Sequence, residues 1–306
     1  MSRMGAGRPG EGFMSGPRIS MVTASLNQAE TIESAIRSVL DQNGALIEAG
    51  GKPVEYMVID GGSRDGTGEV IERYADRLAY WVSEPDCGQS HALNKGLGRA
   101  SGDIVGWLNG DDELLPGALA RVYECFAREA CDVLCGACRY EYADGTVRVQ
   151  GVTDRDLDQL AIWDPIHQPS CFWRRDWHER VGGLDERWHY GMDWDLWLKL
   201  ARAGARFKAS GEVLSVYRLS GSNKTSTGGE RRNREMYAIL REHGQGDGMV
   251  LTELAYRLLW PLKRIRARCP QWFFRTVSDA TRTSLLVALG PLLGFGRVRR
   301  CTHPFC

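Results

Sequence analysis

Ile104-Val105-Gly106-Trp107-Leu108, followed by Asn109-Gly110-Asp111-Asp112, is the stretch that decides the fold. An unbroken apolar run without alternation reads as a strand buried on both faces, as in a parallel sheet. Its end in two adjacent carboxylates puts negative charge at the mouth of that sheet, where open α/β sheets bind their ligands. Two carboxylates suit a hard divalent cation, which in turn suits a diphosphate. Further along, Met192-Asp193-Trp194-Asp195 supplies a separate acid able to act as a general base. Together these features point to transfer of a group from a nucleotide diphosphate.

Working outward, the same strand–helix alternation repeats. Ile19–Thr23 is a β-prone run, and Asn27 with Glu30 three residues later reads as a capping box opening a helix. Ile32, Ala35, Ile36 and Val39 then recur at helical spacing. Val54–Asp60 is the next strand, and the glycine-rich loop from Gly61 to Thr67 leads into a helix near Glu69. Leu78–Val82 reads as a third strand, Ser90–Arg99 as a helix and Asp103–Leu108 as the fourth strand. This order predicts an α/β fold of βαβ units, with a Rossmann-like, mostly parallel sheet flanked by helices. Pro116 suits the first turn of a following helix through Leu119, Val122, Tyr123 and Phe126. Strands are expected around the Asp144-Gly145 turn, and Asp193–Ala203 is an amphipathic helix stopped by Gly204.

The 306 residues, 25% charged and 43% hydrophobic, have room for one large soluble domain with an appendage. A net charge of zero conceals an asymmetry. From Arg257 to the end the chain carries ten basic residues and one acid, a net of +9 against −9 for the rest. A basic tail on an acidic body predicts contact with an anionic surface, membrane or partner. Ser284–Phe295 is apolar but too short to span a bilayer, so it reads as an interfacial amphipathic helix or as packing on the body. The nine cysteines lack disulfide-type spacing, which favours a reducing, cytoplasmic setting. Cys131, Cys135 and Cys138 read as small buried residues more readily than as a zinc site. Residues 1–17 carry no apolar core and read as a disordered tail rather than a secretory signal.

Seven motifs in order give a resemblance. These are Thr23-Ala24-Ser25-Leu26-Asn27, Asp60-Gly61-Gly62-Ser63-Arg64-Asp65-Gly66-Thr67, Asp86-Cys87-Gly88-Gln89-Ser90 and Ala92-Leu93-Asn94-Lys95-Gly96. Leu108-Asn109-Gly110-Asp111-Asp112, Gly182-Gly183-Leu184-Asp185-Glu186 and Met192-Asp193-Trp194-Asp195-Leu196-Trp197 complete the series. Over residues 18–225 the chain resembles a family 2 glycosyltransferase. The resemblance implies a GT-A fold, a nucleotide-sugar donor with UDP the commoner base, a divalent metal (Mn or Mg) and inversion at the anomeric carbon. On this reading residues 18–243 form the glycosyltransferase domain, with a nucleotide-binding half at 18–112 and an acceptor half at 113–243. Residues 244–306 form a basic helical region.

The resemblance assigns roles residue by residue. Asp60 would face uracil or ribose, although an Asp before two glycines also caps its own turn. Thr23, Ser25 and Asn27 would sit at the same mouth, with Asn27 equally suited to be a helix N-cap. Lys95 would help hold the donor, or be a solvated helix lysine. Asn109 stands where the family's Asp-x-Asp begins and would bond the ribose as a neutral group. Asp111 would ligate the metal, with Asp112 beside it as a second ligand or a turn residue. Asp193 would be the base, whereas Met192 replaces the first acid of a Glu-Asp pair; Asp195 keeps a helix-capping reading. Gln168 and Trp173 would line the acceptor side, though Trp173 also suits a core, and Arg218 or Lys224 would cover the diphosphate.

No Gln-x-x-Arg-Trp motif and no membrane span appear in the sequence, which favours transfer of one sugar to a glycan or lipid-linked acceptor over processive synthesis. Peripheral attachment to the inner membrane face would give the tail a purpose, and nucleic acid is an unsuitable partner for an acidic body. Asn109 and Met192, each replacing an acid, leave a second reading open: a non-catalytic nucleotide-sugar-binding scaffold. Dinucleotide enzymes are excluded by the absence of Gly-x-Gly-x-x-Gly after a strand.

Overall fold

The computed structural model describes residues 16–161, 163–219 and 224–243. The expected tail from residue 244 and residues 1–15 lie outside the described residues. Among the described residues nine strands form one sheet: β1 (Ile19–Ser25), β2 (Glu55–Asp60), β3 (Tyr80–Ser83), β4 (Ile104–Asn109), β5 (Glu113–Leu114), β6 (Val133–Tyr142), β7 (Val147–Gln150), β8 (Cys171–Arg174) and β9 (Phe207–Leu219). The α-helices of the described residues are α1 (Ile32–Leu40), α2 (Asn43–Glu48), α3 (Thr67–Glu72), α4 (Gln89–Leu97), α5 (Ala118–Arg128), α6 (Asp154–Leu157), α7 (Arg175–Arg180), α8 (Met192–Arg202), α9 (Lys224–Thr227) and α10 (Gly229–His243).

The spatial order is β3-β2-β1-β4-β8-β6-β9-β5, with β7 paired to β6. The first four strands are mutually parallel, as the βαβ pattern requires. Beyond β4 the sheet is mixed: β8 runs antiparallel to both β4 and β6, whereas β9 is parallel to β6. The purely parallel part of the sheet therefore lies within residues 19–109.

Apolar runs in β1, β2 and β4 are unbroken because both faces are covered. Val22, Ile59 and Trp107 face one core with α4 and α8, whereas Met21, Val58 and Leu108 face a second with α1 and α5. On the first face, Trp107 of β4 stacks on Trp197 of α8 with ring centres 5.7 Å apart. That contact holds the helix bearing Asp193 against the strand that leads to Asp111. Cys131, Cys135 and Cys138 are buried.

Two local expectations are corrected. Asn27 is not a helix cap: it adopts φ 51°, and α1 begins at Ile32 after Thr31, without a side-chain cap. Among the described residues a capping box is formed instead by Thr153 and Asp156 at α6. Pro116 precedes rather than enters α5, which follows Gly117 in a left-handed conformation (φ 76°). Gly204 does follow α8 at φ 92°, where a side chain would be strained.

Candidate active site

The carboxyl ends of β1, β2 and β4 meet at one edge. Ser25 and Asp60 are register partners on the last rungs of β1 and β2, and Ala24 pairs with Asn109. Asn27 laces two loops together: its backbone N–H donates to Ser63 Oγ at 2.7 Å, and its Oδ1 accepts from the Arg64 N–H at 3.1 Å. The left-handed turn at Asn27, which a short amide tolerates, allows both contacts. Ser25 is buried, and its Oγ has no hydrogen-bond partner among the described residues. A buried hydroxyl left unpaired at a sheet mouth is a group awaiting a ligand or water.

Three donor-side candidates are bonded within the protein. Thr23 lies two residues short of the mouth, fully buried, with its hydroxyl 2.8 Å from the Tyr56 hydroxyl. Asp60 is also fully buried, and its oxygens accept from the Ser63 N–H, Ser63 Oγ and Ser83 Oγ. It therefore caps its glycine-rich turn instead of facing solvent. A Cβ at Gly61 would stand 2.7 Å from Asp86 Oδ2, so a side chain there would require that carboxylate to swing aside. Lys95 is paired at 2.5 Å with Glu84, so its charge is matched on α4.

Asn109 sits at the centre of an amide cluster. Its Oδ1 accepts from Gln89 Nε2 at 2.7 Å, and its Nδ2 donates to Asp112 Oδ2 at 3.1 Å and Gln168 Oε1 at 3.3 Å. Gln168 Nε2 in turn donates to the Trp107 carbonyl at 2.8 Å. The two acids of the turn part company. Asp111 is half-buried and accepts from the Gln28 amide, while burial pushes its carboxyl above the usual range. Asp112 points inward and is buried, its Oδ1 unpartnered among the described residues. Burial, then the Asp111 charge, raises its carboxyl well above the ordinary value. Arg218 is engaged by Glu113 at 2.6 Å and lies 3.6 Å from Glu141, which matches its charge inside the sheet.

The residues fit a divalent ion through Asp111. Among the described residues no cluster of three or more His, Cys, Asp or Glu could hold a metal by itself. Magnesium-type sites on nucleotides need no such cage, taking one or two carboxylates and completing the shell with phosphate oxygens and water. A carboxylate kept short of charge compensation by burial gains most from that arrangement.

Asp193 lies in the first turn of α8, its Oδ1 accepting from the Trp194 N–H at 2.8 Å. Burial raises its carboxyl, and the cations of Lys224 and Arg232 oppose that rise. Asp164, a residue outside the sequence motifs, stands beside it; burial and then the Asp193 charge raise Asp164 well above the ordinary range. Its one visible signal is an acid within the apolar segment Ile162-Trp163-Asp164-Pro165-Ile166. Lys224 Nζ donates to Gln89 Oε1 at 2.8 Å, while Gln28 stands at the strand mouth beside Asp111. Met192 is buried and accepts the Ser90 hydroxyl at its Sδ, tying α8 to α4.

Two acceptor-side and helix expectations are corrected. Trp173 is fully buried, with ring centres 5.4 Å from Trp107 and 5.3 Å from Trp197, so it belongs to the core. Asp195 does not cap α8; it is buried and receives Lys199 Nζ and His243 Nε2, each at 2.7 Å.

Comparison with known proteins agrees with this architecture. An uncharacterized glycosyltransferase of Mycobacterium tuberculosis is 28% identical over 190 residues, covering 61% of this chain and 70% of that one. The Campylobacter jejuni GalNAc(5)-diNAcBac-PP-undecaprenol beta-1,3-glucosyltransferase is 32% identical over 112 residues, 35% of this chain and 34% of that protein. In structure, residues 1–349 of S. aureus TarS in complex with UDP-GlcNAc give a TM-score of 0.61 at 16% identity, over 94% of this chain and 91% of that fragment. Against a longer S. aureus TarS chain, this protein spans 43% of the length. The fold is thus the GT-A type of glycosyltransferases. Residues 20–182 match the model described as Glycosyl transferase family 2, and with more than half the chain inside that match the protein belongs to this family of glycosyltransferases.

Proposed function

We propose that the protein transfers one sugar, with inversion, from a nucleotide-diphosphate sugar to a hydroxyl of a glycan or lipid-linked acceptor. The observation that carries the reading is a pair of burial-raised acids on two elements packed together. Asp111 follows β4 beside Gln28, Asp193 lies in the first turn of α8, and Trp107 of β4 stacks on Trp197 of α8. In this reading Ser25, Asn27 and Asn109 line the donor side, Asp111 is the metal ligand, and Gln168 reaches toward the acceptor. Asp112 is a buried support of the turn. The metal supplies charge neutralisation on the departing diphosphate.

Asp193 takes the proton of the acceptor hydroxyl as its oxygen attacks the anomeric carbon. Lys224 and Arg232 oppose the effect of burial on that carboxylate, and burial and then the Asp193 charge raise Asp164 well above the ordinary range. UDP is the proposed base, consistent with the UDP-GlcNAc held by the TarS fragment. A polyprenol-linked acceptor of the kind named for the Campylobacter relative would suit the basic tail, and we place the protein at the inner face of a membrane on that ground. No helix among the described residues is long and apolar enough to cross one.

Calorimetric titration of UDP, GDP and dTDP, each with and without manganese, tests this reading. Metal-dependent binding of one nucleotide is the expected result. Binding of none of the three overturns it and favours the scaffold reading raised by Asn109 and Met192.

A further inference from the structure

Gln89 opens α4, and its amide is held at both ends. An ammonium only donates, so Lys224 Nζ fixes Gln89 Oε1 toward itself at 2.8 Å. Gln89 Nε2 is then left for Asn109 Oδ1, Asn109 Nδ2 for Asp112 Oδ2 and Gln168 Oε1, and Gln168 Nε2 for the Trp107 carbonyl. The chain begins on a group that can only donate and ends at the Trp107 carbonyl, which can only accept. No amide in it can turn over without losing bonds. An aspartate at position 109 would press a second carboxylate on Asp112 and on Gln168 Oε1, which gives asparagine there a physical cause.

Lys224 sits on a helix of a single turn, α9, which holds little by itself. Its ammonium lies 5.8 Å from the centre of the Tyr190 ring. Burial weakens its grip on a proton, while Asp193 and then Glu235 strengthen it. Gln89 therefore contributes an anchor for a cation that faces the proposed base.

We infer that Gln89 is a positioning residue: through Lys224 it stations a positive charge beside Asp193, and through Asn109 it ties that charge to the turn bearing Asp111. The inference rests on the reading of Asp193 as the base. Among the described residues, the groups coupled electrostatically to Asp193 are Asp164 from the loop before β8, Cys171 of β8, Lys224 from α9 and Arg232 from α10; Glu235 and Arg231 of α10 act on Lys224. Arg232 stays when Lys224 is displaced, so loss of the anchor weakens the base without abolishing it.

The test uses the full chain with Gln89→Met, Lys224→Met, the double variant and Asp193→Asn, with kcat and donor KM followed across pH. Gln89→Met is expected to move the acidic limb of kcat to higher pH and lower kcat about tenfold under mildly acidic conditions, with donor KM changed by less than about twofold. Lys224→Met should do the same, and the double variant should be no worse than the poorer single, because both remove one device. Gln89→Ala, which needs no added room, must reproduce the limb shift if the methionine disturbs packing. Additive effects, or a raised donor KM with an unmoved limb, would overturn the inference alone. An undiminished kcat in Asp193→Asn would overturn the base reading and this inference with it.

Discussion

Nδ2 of Asn109 donates to Oδ2 of Asp112 at 3.1 Å, so the residue that replaces an acid in the Asp-x-Asp position holds down a second, buried acid. The two aspartates of the turn are thereby unequal: Asp111 meets the mouth, whereas Asp112 is 1% exposed. Asp111→Ala should abolish metal-dependent nucleotide binding. Asp112→Asn should retain it, with a Tm equal to or above wild type, because it removes a carboxyl that burial already opposes. Calorimetry and thermal melting read the two variants. Equal loss of binding in both would make Asp112 a ligand.

Asp193→Asn should lower kcat by about 10²–10⁴-fold, the range for removal of a general base, while nucleotide affinity stays unchanged. In the wild type the rate should fall as pH drops through the Asp193 pKa, since a protonated carboxyl cannot accept the acceptor's proton. Burial raises that pKa, with Lys224 and Arg232 opposing it. The acidic limb should therefore lie above the ordinary carboxylate range, and a limb within that range would contradict the assignment.

Strands β1, β2 and β4 were legible because burial on both faces writes an unbroken apolar run, and β2 and β4 end where acids begin. Whether a polar residue near a strand end faces the ligand was less legible. Thr23 and Ser25 look alike in sequence, yet one is sealed against Tyr56 and the other has an unpaired hydroxyl at the mouth. Trp173 was ambiguous because a stacking platform and a core plug use the same side chain. Gln28 and Asp164 join the site only when separate loops are brought together, and no local spacing announces that; Lys224 was legible as a site cation but not as the partner of Gln89. The mixed half of the sheet escaped the βαβ pattern because β8 and β9 return in directions that periodicity does not encode.

Trp173 provides a stability test. It fills the space between Trp107 and Trp197, the pair that seats α8 on β4. Trp173→Ala should cost about 3–5 kcal/mol in denaturant unfolding, as expected for loss of a large core side chain. Trp173→Phe should cost less and leave acceptor KM unchanged. A raised acceptor KM with unaltered stability would return Trp173 to the acceptor side.

The basic region beyond Arg257 predicts a salt-dependent contact. Each basic residue near an anionic lipid surface is worth about 1 kcal/mol at low salt, and ten of them face one acid. Deleting residues 251–306 should abolish cosedimentation with vesicles rich in anionic lipid and leave the absence of binding to neutral vesicles unaltered. Raising ionic strength on the intact chain should mimic the deletion. Unchanged binding to anionic vesicles after the deletion would remove the membrane from the proposal.

Asp195 joins the last turn of α10 to α8. It is fully buried, and although burial alone would raise its carboxyl, hydrogen bonds from His243 and then Lys199 hold it below the ordinary value of 3.8. A carboxyl depressed in the folded state stabilises the fold above its unfolded pKa and loses that contribution as pH falls through the folded one. Wild-type stability should therefore drop through and below the ordinary carboxylate range. Asp195→Asn should be less stable at neutral pH, by about 3–5 kcal/mol for a broken buried pair, and should show a shallower acid slope. Hydrogen exchange locates the effect: the amides near His243 at the end of α10 should lose protection before those of β1 and β4. An Asp195→Asn variant with the wild-type acid slope would show that the pair does not govern the acid response.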